Sequence, residues 1–271
     1  MYRKTDFLYR FLIAIALALG TSPLRAENQS PVDAWQTYLK DAYFKGVDII
    51  EDKTVIELVT PYRSEDAALT PVSITAKIPQ TPERYIETIH VFVDKNPQPL
   101  VGVFHLTPAV GKADLAMRIR INEYTYVRAV AVLNNGEHHM TANFVKASGG
   151  CSAPPAADLK AAMERLGQMK FRTVGDVVAG EPAAGQFMVS HPNITGFQID
   201  QVTRSIIPQH YVKTIAISQN GKPLMTAEVG FSLSADPSLR FFFKPEKAGT
   251  IKAEVVDSKG LQWSETFELA L

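Results

Sequence analysis

Residues 86–94 read Ile-Glu-Thr-Ile-His-Val-Phe-Val-Asp, and the alternation within them decides the fold class. Ile89, Val91 and Val93 recur at every second position, which places them on one face of an extended chain. A strand with one apolar face is typical of an antiparallel sheet that covers a core on one side. The following Asn96-Pro97-Gln98-Pro99 ends the strand, because proline cannot donate to a sheet ladder.

The same pattern extends in both directions from this strand and predicts a β-sandwich. Asn134-Asn135-Gly136 is typical of a tight hairpin turn, since asparagine and glycine tolerate positive φ. About seven short strands with regular turns indicate an antiparallel sandwich of immunoglobulin type. The predicted strands are 54–59, 72–78, 86–94, 100–106, 115–121, 126–133 and 138–145.

A second set of short strands follows and predicts another sandwich of the same class. Asn220-Gly221 is again a hairpin signal. The polar, glycine-containing stretch 173–185 indicates a connection between the two β domains. The predicted strands are 187–191, 211–219, 224–230, 239–243, 250–257 and 262–269.

Two helices are predicted outside the strands. The first begins with Ser30 as N-cap and Pro31 at the first helical position. Its expected buried stripe follows helical spacing and consists of Trp35, Tyr38, Leu39, Ala42 and Tyr43. The second covers 156–166 and ends at Gly167, with an expected apolar face of Leu159, Ala162, Met163 and Leu166.

Residues 1–26 have the pattern of a cleaved secretory signal. Basic residues precede a short apolar run at 11–19, and Leu24-Arg25-Ala26 is typical of a cleavage site. An uncleaved membrane anchor is the alternative, although the run is short for a bilayer. Cleavage leaves 24 basic against 27 acidic residues, a net charge of −3. This balance argues against a nucleic-acid surface, which needs clustered positive charge.

Cys151 is the only cysteine in the chain, so no intramolecular disulfide can form. It lies between Gly149-Gly150 and Ser152-Ala153-Pro154-Pro155, a setting typical of a loop. An unpaired cysteine in an exported protein indicates a reactive thiol, and the loop favours an exposed, functional one. The alternative is a buried cysteine that acts as a small apolar side chain.

The six histidines give no recognisable metal motif. His138 and His139 are adjacent, and neighbours on a strand point to opposite faces. His191 and His210 lie in turns that border strands, where we expect them to bond loop backbone. Phosphate-loop and dinucleotide fingerprints are absent, so the sequence predicts no metal site and no cofactor.

Several segments together resemble the sulfur-oxidation carrier proteins SoxY and SoxZ. The SoxY-like signals run from the strand before Asn96 to Gly149-Gly150-Cys151, and the SoxZ-like signals follow them. They are, in order, 89–99, 118–121, 127–133, 145–151, His191-Pro192, Thr195-Gly196, 207–212, 220–222 and 257–260. The fused order resembles the SoxYZ-like carriers that are associated with quinoprotein dehydrogenases.

The resemblance implies a mainly β protein of two immunoglobulin-like sandwiches with two short helices. The expected domains are a signal peptide at 1–26, a SoxY-like domain at 27–150 and a SoxZ-like domain at 181–271. The cysteine loop, the short helix and a linker occupy 151–180 between them.

The resemblance further implies a periplasmic carrier without turnover of its own. Cys151 would hold a sulfur-containing, thiosulfate-derived cargo covalently, with Gly149 and Gly150 as the hinge of the carrier loop. The implied partners are periplasmic redox enzymes: a quinoprotein dehydrogenase, a c-type cytochrome or Sox-type enzymes. In SoxY the cysteine lies on a free C-terminal arm, whereas Cys151 is internal, which puts sulfur oxidation itself in question.

Two other hypotheses remain open at the level of sequence. One is a docking or assembly module that binds a periplasmic quinoprotein dehydrogenase or cytochrome without covalent cargo. The other is a cysteine-dependent enzyme that uses His191 or His210 as its base, because such an enzyme needs a histidine within reach of the thiol.

Overall fold

The computed structural model describes residues 33–154 and 159–271, and most of their secondary structure is β-strand. Three predictions fall outside the described residues: the signal peptide at 1–26, the helix cap at Ser30 and Pro31, and the start of the second helix. The strands of the first half are β1 (Ile50–Glu51), β2 (Ile56–Val59), β3 (Thr70–Ala76), β4 (Ile86–Val93), β5 (Leu100–Leu106), β6 (Leu115–Ile119), β7 (Thr125–Leu133) and β8 (His138–Val145). Those of the second half are β9 (Met169–Val174), β10 (Ala183–Val189), β11 (Val212–Gln219), β12 (Lys222–Val229), β13 (Ser238–Phe243), β14 (Gly249–Asp257) and β15 (Gln262–Leu269).

The strands form two sheets, and each sheet contains strands from both halves. The larger sheet has nine strands in the order β1-β8-β7-β4-β5-β12-β11-β14-β15. The smaller has six, in the order β2-β3-β6-β13-β10-β9. The halves meet where β12 pairs antiparallel with β5, with Ala227 opposite Phe104, and where Arg240 of β13 pairs with Ala116 of β6. The two sandwiches are therefore joined edge to edge.

One apolar core fills the space between the sheets across both halves. Ile89 and Phe104 of the first half belong to the same buried cluster as Ile215 and Phe241 of the second. Each strand contributes its alternate apolar residues, as the period of two requires. The prediction of a mainly β, immunoglobulin-like architecture is confirmed, and the predicted strands lie close to the observed ones.

Sequence analysis missed two strands, β1 and β9. β9 lies at the sheet edge and pairs with β10, with Phe171 opposite Phe187. Lys170, Arg172 and Thr173 are exposed, so its apolar signal reduces to Met169 and Phe171. Edge strands commonly carry charged residues, which keep them from pairing with other chains. That composition resembles a loop in sequence, and the predicted connection at 173–185 accordingly overlapped the end of the strand.

The N-terminal helix buries a different stripe from the predicted one. A π-helical turn (Trp35–Leu39) continues into α1 (Lys40–Phe44), and the buried residues are Ala34, Trp35, Leu39 and Phe44. Tyr38, Ala42 and Tyr43 are exposed, so that part of the prediction is wrong. The reason is helical pitch: a π-turn bonds i to i+5, which brings residues four and five apart onto one face.

Arg128 of β7 fastens this helix to the outer face of the nine-stranded sheet. Its Nε donates to both carboxylate oxygens of Asp94, at 3.1 and 2.9 Å, and its Nη2 contacts Asp33 Oδ1 at 2.6 Å. The guanidinium also lies 5.3 Å from the Trp35 ring centroid. Arg128 and Asp94 are almost fully buried, so the ion pair is shielded from solvent.

The second helix, α2 (Leu159–Glu164 within the described residues), ends two residues before the predicted 166 and is less buried than predicted. Ala162 is buried, whereas Met163 is exposed. Gly167 follows the helix with φ of +80°, and a Cβ there would lie 2.1 Å from the indole Nε1 of Trp263. Among the described residues, no helix has the length and apolar character needed to cross a membrane.

Candidate functional site around Cys151

Cys151 is buried, with an exposed fraction of 1%. The prediction of an exposed thiol is therefore wrong for the conformation seen here. Burial raises the pKa of the thiol to about 11, because a thiolate would lose its hydration, and the charge of Arg120 acts in the opposite direction. We call this buried arrangement the docked position of the loop. In it the thiol is uncharged at neutral pH and is a weak nucleophile.

The two glycines before Cys151 differ in their surroundings. Gly149 has φ of +80°, and a Cβ there would meet only Ser152 Oγ, at 4.0 Å. Gly150 is packed so closely that a Cβ would lie 2.1 Å from the carbonyl oxygen of Ala67 and 2.7 Å from that of Ile121. Gly149 thus provides a left-handed backbone conformation. Gly150 permits the loop to approach the backbone of Ala67 and Ile121 closely.

Hydrogen bonds from both halves of the protein hold the loop in place. Arg120 Nη1 donates to the Gly150 carbonyl at 3.0 Å. Thr195 Oγ1 donates to the Cys151 carbonyl at 2.6 Å, and Gln198 Nε2 donates to the Ala153 carbonyl at 2.8 Å. Because side chains bind three carbonyls of the loop, those of Gly150, Cys151 and Ala153, the loop cannot leave this position without breaking these bonds.

Asn96 organises the chain segments beside the loop. Its Nδ2 donates to the Arg120 carbonyl at 2.8 Å and to Ser232 Oγ at 3.0 Å, and its Oδ1 accepts the Asn122 N–H at 2.9 Å. Sequence analysis treated Asn96 only as part of a strand break. Both donors and the oxygen of this buried amide are bonded, which makes Asn96 a structural centre, and the Asn-Pro dipeptide was its signal in the sequence.

Arg120 is the charged residue of the site. It is 2% exposed, and among the described residues no carboxylate lies within ion-pair distance of it. Its Nε is buried without a hydrogen-bond partner. Burial lowers the pKa of Arg120, and the negative charges of a Cys151 thiolate and of Asp66 oppose that shift. Sequence analysis recorded Arg120 only within the segment that carried the resemblance.

His191, His210 and Asp257 form a second buried cluster, which sequence analysis did not bring together. The two imidazole centroids lie 4.6 Å apart. His210 Nε2 lies 2.6 Å from Asp257 Oδ2, and His191 Nε2 lies 3.7 Å from the same oxygen. The other carboxylate oxygen, Oδ1, accepts the N–H groups of Lys259 and Leu261. The cluster joins the loop at 190–198 to the end of β14.

The hydrogen bonding of this cluster fits a metal ion poorly, although its three potential ligand atoms lie within 4.8 Å of one another. The Asn193 N–H donates to His191 Nδ1 at 3.1 Å, so Nδ1 carries the lone pair and Nε2 carries the proton. A metal ion bound to Nε2 would require the proton to lie on Nδ1 instead. The Nδ1–H would then face the Asn193 N–H, and two donors cannot form a hydrogen bond. We interpret the cluster as a hydrogen-bonded support for the loop that carries Thr195 and Gln198.

No hydrogen bond among the described residues joins either of these histidines to the Cys151 sulfur. Nε2 of His210 is hydrogen-bonded to the Asp257 carboxylate, and Nδ1 of His191 accepts the backbone N–H of Asn193. The arrangement of a nucleophile and a base within bonding reach, which a cysteine enzyme uses, is not formed in this conformation.

An apolar hairpin extends beyond Gln198 on the surface. Ile199 and Ile206 form an isolated bridge, and the Asp200 N–H donates to the Ser205 carbonyl at 2.9 Å. Four large apolar side chains of this hairpin are exposed: Phe197, Ile199, Val202 and Ile206.

Comparison with known proteins gives two family matches in tandem. Residues 40–151 match the family described as sulfur oxidation protein SoxY, and residues 169–268 match the family described as sulphur oxidation protein SoxZ. The SoxY match ends at Cys151, and the SoxZ match begins with β9. No curated protein matched the chain.

Several solved structures are similar to parts of the fold. The sulfur carrier protein SoxY from Chlorobium limicola f thiosulfatophilum is 23% identical over 40% of this chain and 88% of its own, with a TM-score of 0.34. A superoxide reductase (neelaredoxin) from Ignicoccus hospitalis is 12% identical over 36% of this chain and 93% of its own, with a TM-score of 0.33. Fibronectin(III)-like modules of CbhA from Clostridium thermocellum are 12% identical over 80% of this chain and 94% of their own, with a TM-score of 0.23.

The two family matches cover most of the chain, follow each other without overlap, and correspond to the two halves that share the sheets. They leave the thiol at the junction of the two halves. The chain belongs to the SoxY and SoxZ families of sulfur-oxidation carrier proteins, with both domains fused in one polypeptide.

Proposed function

We propose that this protein is a periplasmic thiol carrier that holds a sulfur-containing intermediate covalently on Cys151 and presents it to partner redox enzymes. The observation that carries the proposal is the position of the sole cysteine. It lies at the end of the SoxY match, in a loop whose carbonyls are bound by side chains from both halves. The protein provides attachment and presentation, and the partner enzymes perform the chemistry.

The carrier cycle requires two positions of the cysteine loop. In the docked position described above the thiol is buried and protonated at neutral pH. Loading and unloading take place in a released position, in which the bonds from Arg120, Thr195 and Gln198 are broken. Each such hydrogen bond contributes about 1 kcal/mol, so release is reversible and a docking enzyme can drive it. Gly149 and Gly150 act as the hinge in this motion.

Loading with thiosulfate follows a balanced reaction. The Cys151 sulfur bonds to the outer sulfur of thiosulfate, the thiol proton goes to water, and two electrons leave. The electrons pass to a partner c-type cytochrome or a quinoprotein dehydrogenase. The product is a cysteine persulfide chain that ends in a sulfonate and carries one negative charge. A loop tied at both ends still raises the concentration of its cargo at a docked enzyme.

The decisive experiment is intact mass spectrometry of the protein isolated from cells, before and after a mild reductant. A reducible mass adduct that maps to Cys151 supports the carrier function, and its mass gives the cargo class. Cys151→Ser is the matched control and must remove the adduct. A bare thiol under every growth condition would exclude the carrier function.

Burial of the thiol favours a second candidate function, a docking or assembly module without covalent cargo. In that case the loop is a permanent structural element and the protein binds a quinoprotein dehydrogenase or a cytochrome through its surface. Co-purification of the partner would be unchanged by Cys151→Ser, and no adduct would form. Under the carrier function, Cys151→Ser abolishes the oxidation capacity that depends on the carrier.

A further inference from the structure

Among the described residues, no carboxylate forms an ion pair with the buried guanidinium of Arg120. Arg120 is 2% exposed, its Nη1 binds the neutral Gly150 carbonyl, and its Nε has no hydrogen-bond partner among the described residues. Asp66, whose charge acts on Arg120, binds the Ala68 N–H with Oδ1 and is exposed to solvent. A buried charge of this kind is costly unless an anion approaches it.

The buried Arg128 shows how the same chain satisfies a guanidinium elsewhere. Its Nε binds both oxygens of the buried Asp94, and its Nη2 binds Asp33. No comparable carboxylate partner binds Arg120 within the described part of the chain. The difference indicates that the partner of Arg120 is a group other than the carboxylates of the described residues.

The group that can supply a negative charge at this position is the one attached to Cys151. Arg120 Nη1 binds the carbonyl of Gly150, the residue before Cys151, and its positive charge opposes the rise in the pKa of the thiol that burial causes. Thr195 and Gln198, which hold the loop from the other side, are uncharged. Arg120 is therefore the charged residue that a terminal group on the sulfur would meet when the loop docks.

We propose that Arg120 is a positioning residue that makes docking of the loop selective for a negatively charged group on the Cys151 sulfur. An anionic adduct stabilises the docked loop, and a cationic one opens it. Removal of the charge by a partner enzyme would weaken docking and signal that the cargo has been processed. This inference rests on the proposed carrier function and adds the residue that recognises the charge of the cargo.

The test compares two adducts of similar size and opposite charge on the same sulfur. The protein is unfolded in urea and labelled with 2-sulfonatoethyl or 2-(trimethylammonio)ethyl methanethiosulfonate. In each reaction the Cys151 thiolate attacks the reagent's divalent sulfur, the reagent's S–S bond breaks, and methanesulfinate leaves with the electron pair. Because Cys151 is the only cysteine, labelling is uniform. The labelled proteins are refolded, and reduction by uncharged dithiothreitol is followed by mass spectrometry.

For each adduct, the reduction rate of the refolded protein is divided by the reduction rate of the same adduct in urea. The ratio of these two normalised rates, cationic to anionic, measures charge-selective docking. We expect the anionic adduct to be reduced about tenfold more slowly than the cationic one in the wild type, which corresponds to about 1.4 kcal/mol. Arg120→Gln should bring the ratio close to one, and Arg120→Lys should retain part of it. Loss of the Gly150 hydrogen bond affects both adducts alike, so the ratio isolates the charge.

Arg118→Gln is the matched control, because it removes the same charge from an exposed side chain two residues away. It should leave the ratio unchanged, and circular dichroism of each variant establishes that it folds. Hydrogen exchange of the Gly149 and Gly150 amides, which bind Asn122 and Ile121, provides a second reading of docking. These amides should be more protected with the anionic adduct.

A ratio near one in the wild type, or an unchanged ratio in Arg120→Gln, would overturn the inference. This outcome is separable from failure of the carrier function, because the labelling reads the docking equilibrium of any adduct. Native cargo is detected independently by the mass measurement on protein from cells.

Discussion

The side chain of Thr195 in the SoxZ half donates a hydrogen bond of 2.6 Å to the main-chain carbonyl of Cys151 at the end of the SoxY half. Both residues are almost fully buried. The bond means that the cysteine loop is part of the contact between the two halves, and that the SoxZ half contributes directly to the position of the thiol. Accessibility of the thiol is therefore controlled by both halves.

Thr195→Val should increase the reactivity of Cys151 in the folded protein. The change keeps the size of the side chain but removes the donor to the Cys151 carbonyl and the acceptor of the Phe197 N–H. A loss of about 1 kcal/mol raises the rate of labelling by a chromogenic disulfide about fivefold if labelling occurs from the released loop. Thr226→Val, on an exposed face of β12, is the control. Equal rates in the wild type and Thr195→Val would show that this bond does not hold the thiol.

Gly150→Ala should destabilise the docked loop more than Gly149→Ala. A Cβ at Gly150 would lie 2.1 Å from a backbone oxygen, so the chain must move, and overpacking of this kind costs about 1–3 kcal/mol. At Gly149 the Cβ has space, and the cost is the left-handed conformation alone, about 1 kcal/mol. Urea unfolding gives the stabilities and thiol labelling reports the loop. If Gly149→Ala were the more damaging change, backbone conformation would outweigh the close contact.

Arg128→Met should cost about 3–5 kcal/mol of unfolding free energy. It leaves the buried Asp94 carboxylate without its partner, which is the expensive way to break a buried ion pair. Asp33→Asn should cost less than about 1 kcal/mol, because Asp33 is partly exposed to solvent. Both values come from urea unfolding. A double variant, Arg128→Met with Asp94→Leu, should regain part of the loss, and failure to regain any would mean that the packing of Arg128 on Trp35 dominates.

Stability should fall as the pH is lowered from about 6.5 to about 4. Burial, together with the charge of His210, lowers the pKa of His191 to about 4, so between these pH values the unfolded chain binds a proton that the folded protein excludes. The contribution of His191 is present above pH 6.5 and is lost through this window, and amounts to at most about 3 kcal/mol.

Two other groups titrate in the same range. Burial likewise lowers the pKa of His90 to about 4, which adds to the loss. Burial raises the pKa of Asp94 to about 6, which acts in the opposite direction, because the penalty for its charge disappears as it gains a proton. His191→Gln should therefore reduce the fall in unfolding free energy between pH 7 and pH 4.5. An identical fall in the variant would show that His191 is not the group that titrates.

The sequence was sufficient for the fold class, because alternation along a strand is a local property. Ile89, Val91 and Val93 predicted a strand with one buried and one solvent-exposed face, and all three are buried in the common core. The exposed face was wrong, because Phe92 on the opposite face is buried against the N-terminal helix. The hairpin signals at Asn134-Asn135-Gly136 and Asn220-Gly221 lie between the paired strands β7 and β8 and between β11 and β12. The local rule failed at the N-terminal helix, since π-helical spacing is imposed by packing of Trp35 and Phe44 against Phe92.

The position of the thiol was a matter of tertiary structure alone. A Gly-Gly-Cys segment followed by prolines is locally flexible, so its residues favour exposure, and nothing near Cys151 in sequence indicates Ala67, Arg120 or Thr195. These residues are 84, 31 and 44 positions away. Ala67 and Arg120 reach the loop through the fold of the SoxY half, and Thr195 reaches it because the two halves pair edge to edge. Sequence by itself determined that there is one thiol in a loop between two β domains. The tertiary structure decided that this thiol is buried beside a guanidinium, because burial and charge are properties of all the segments that meet at one place.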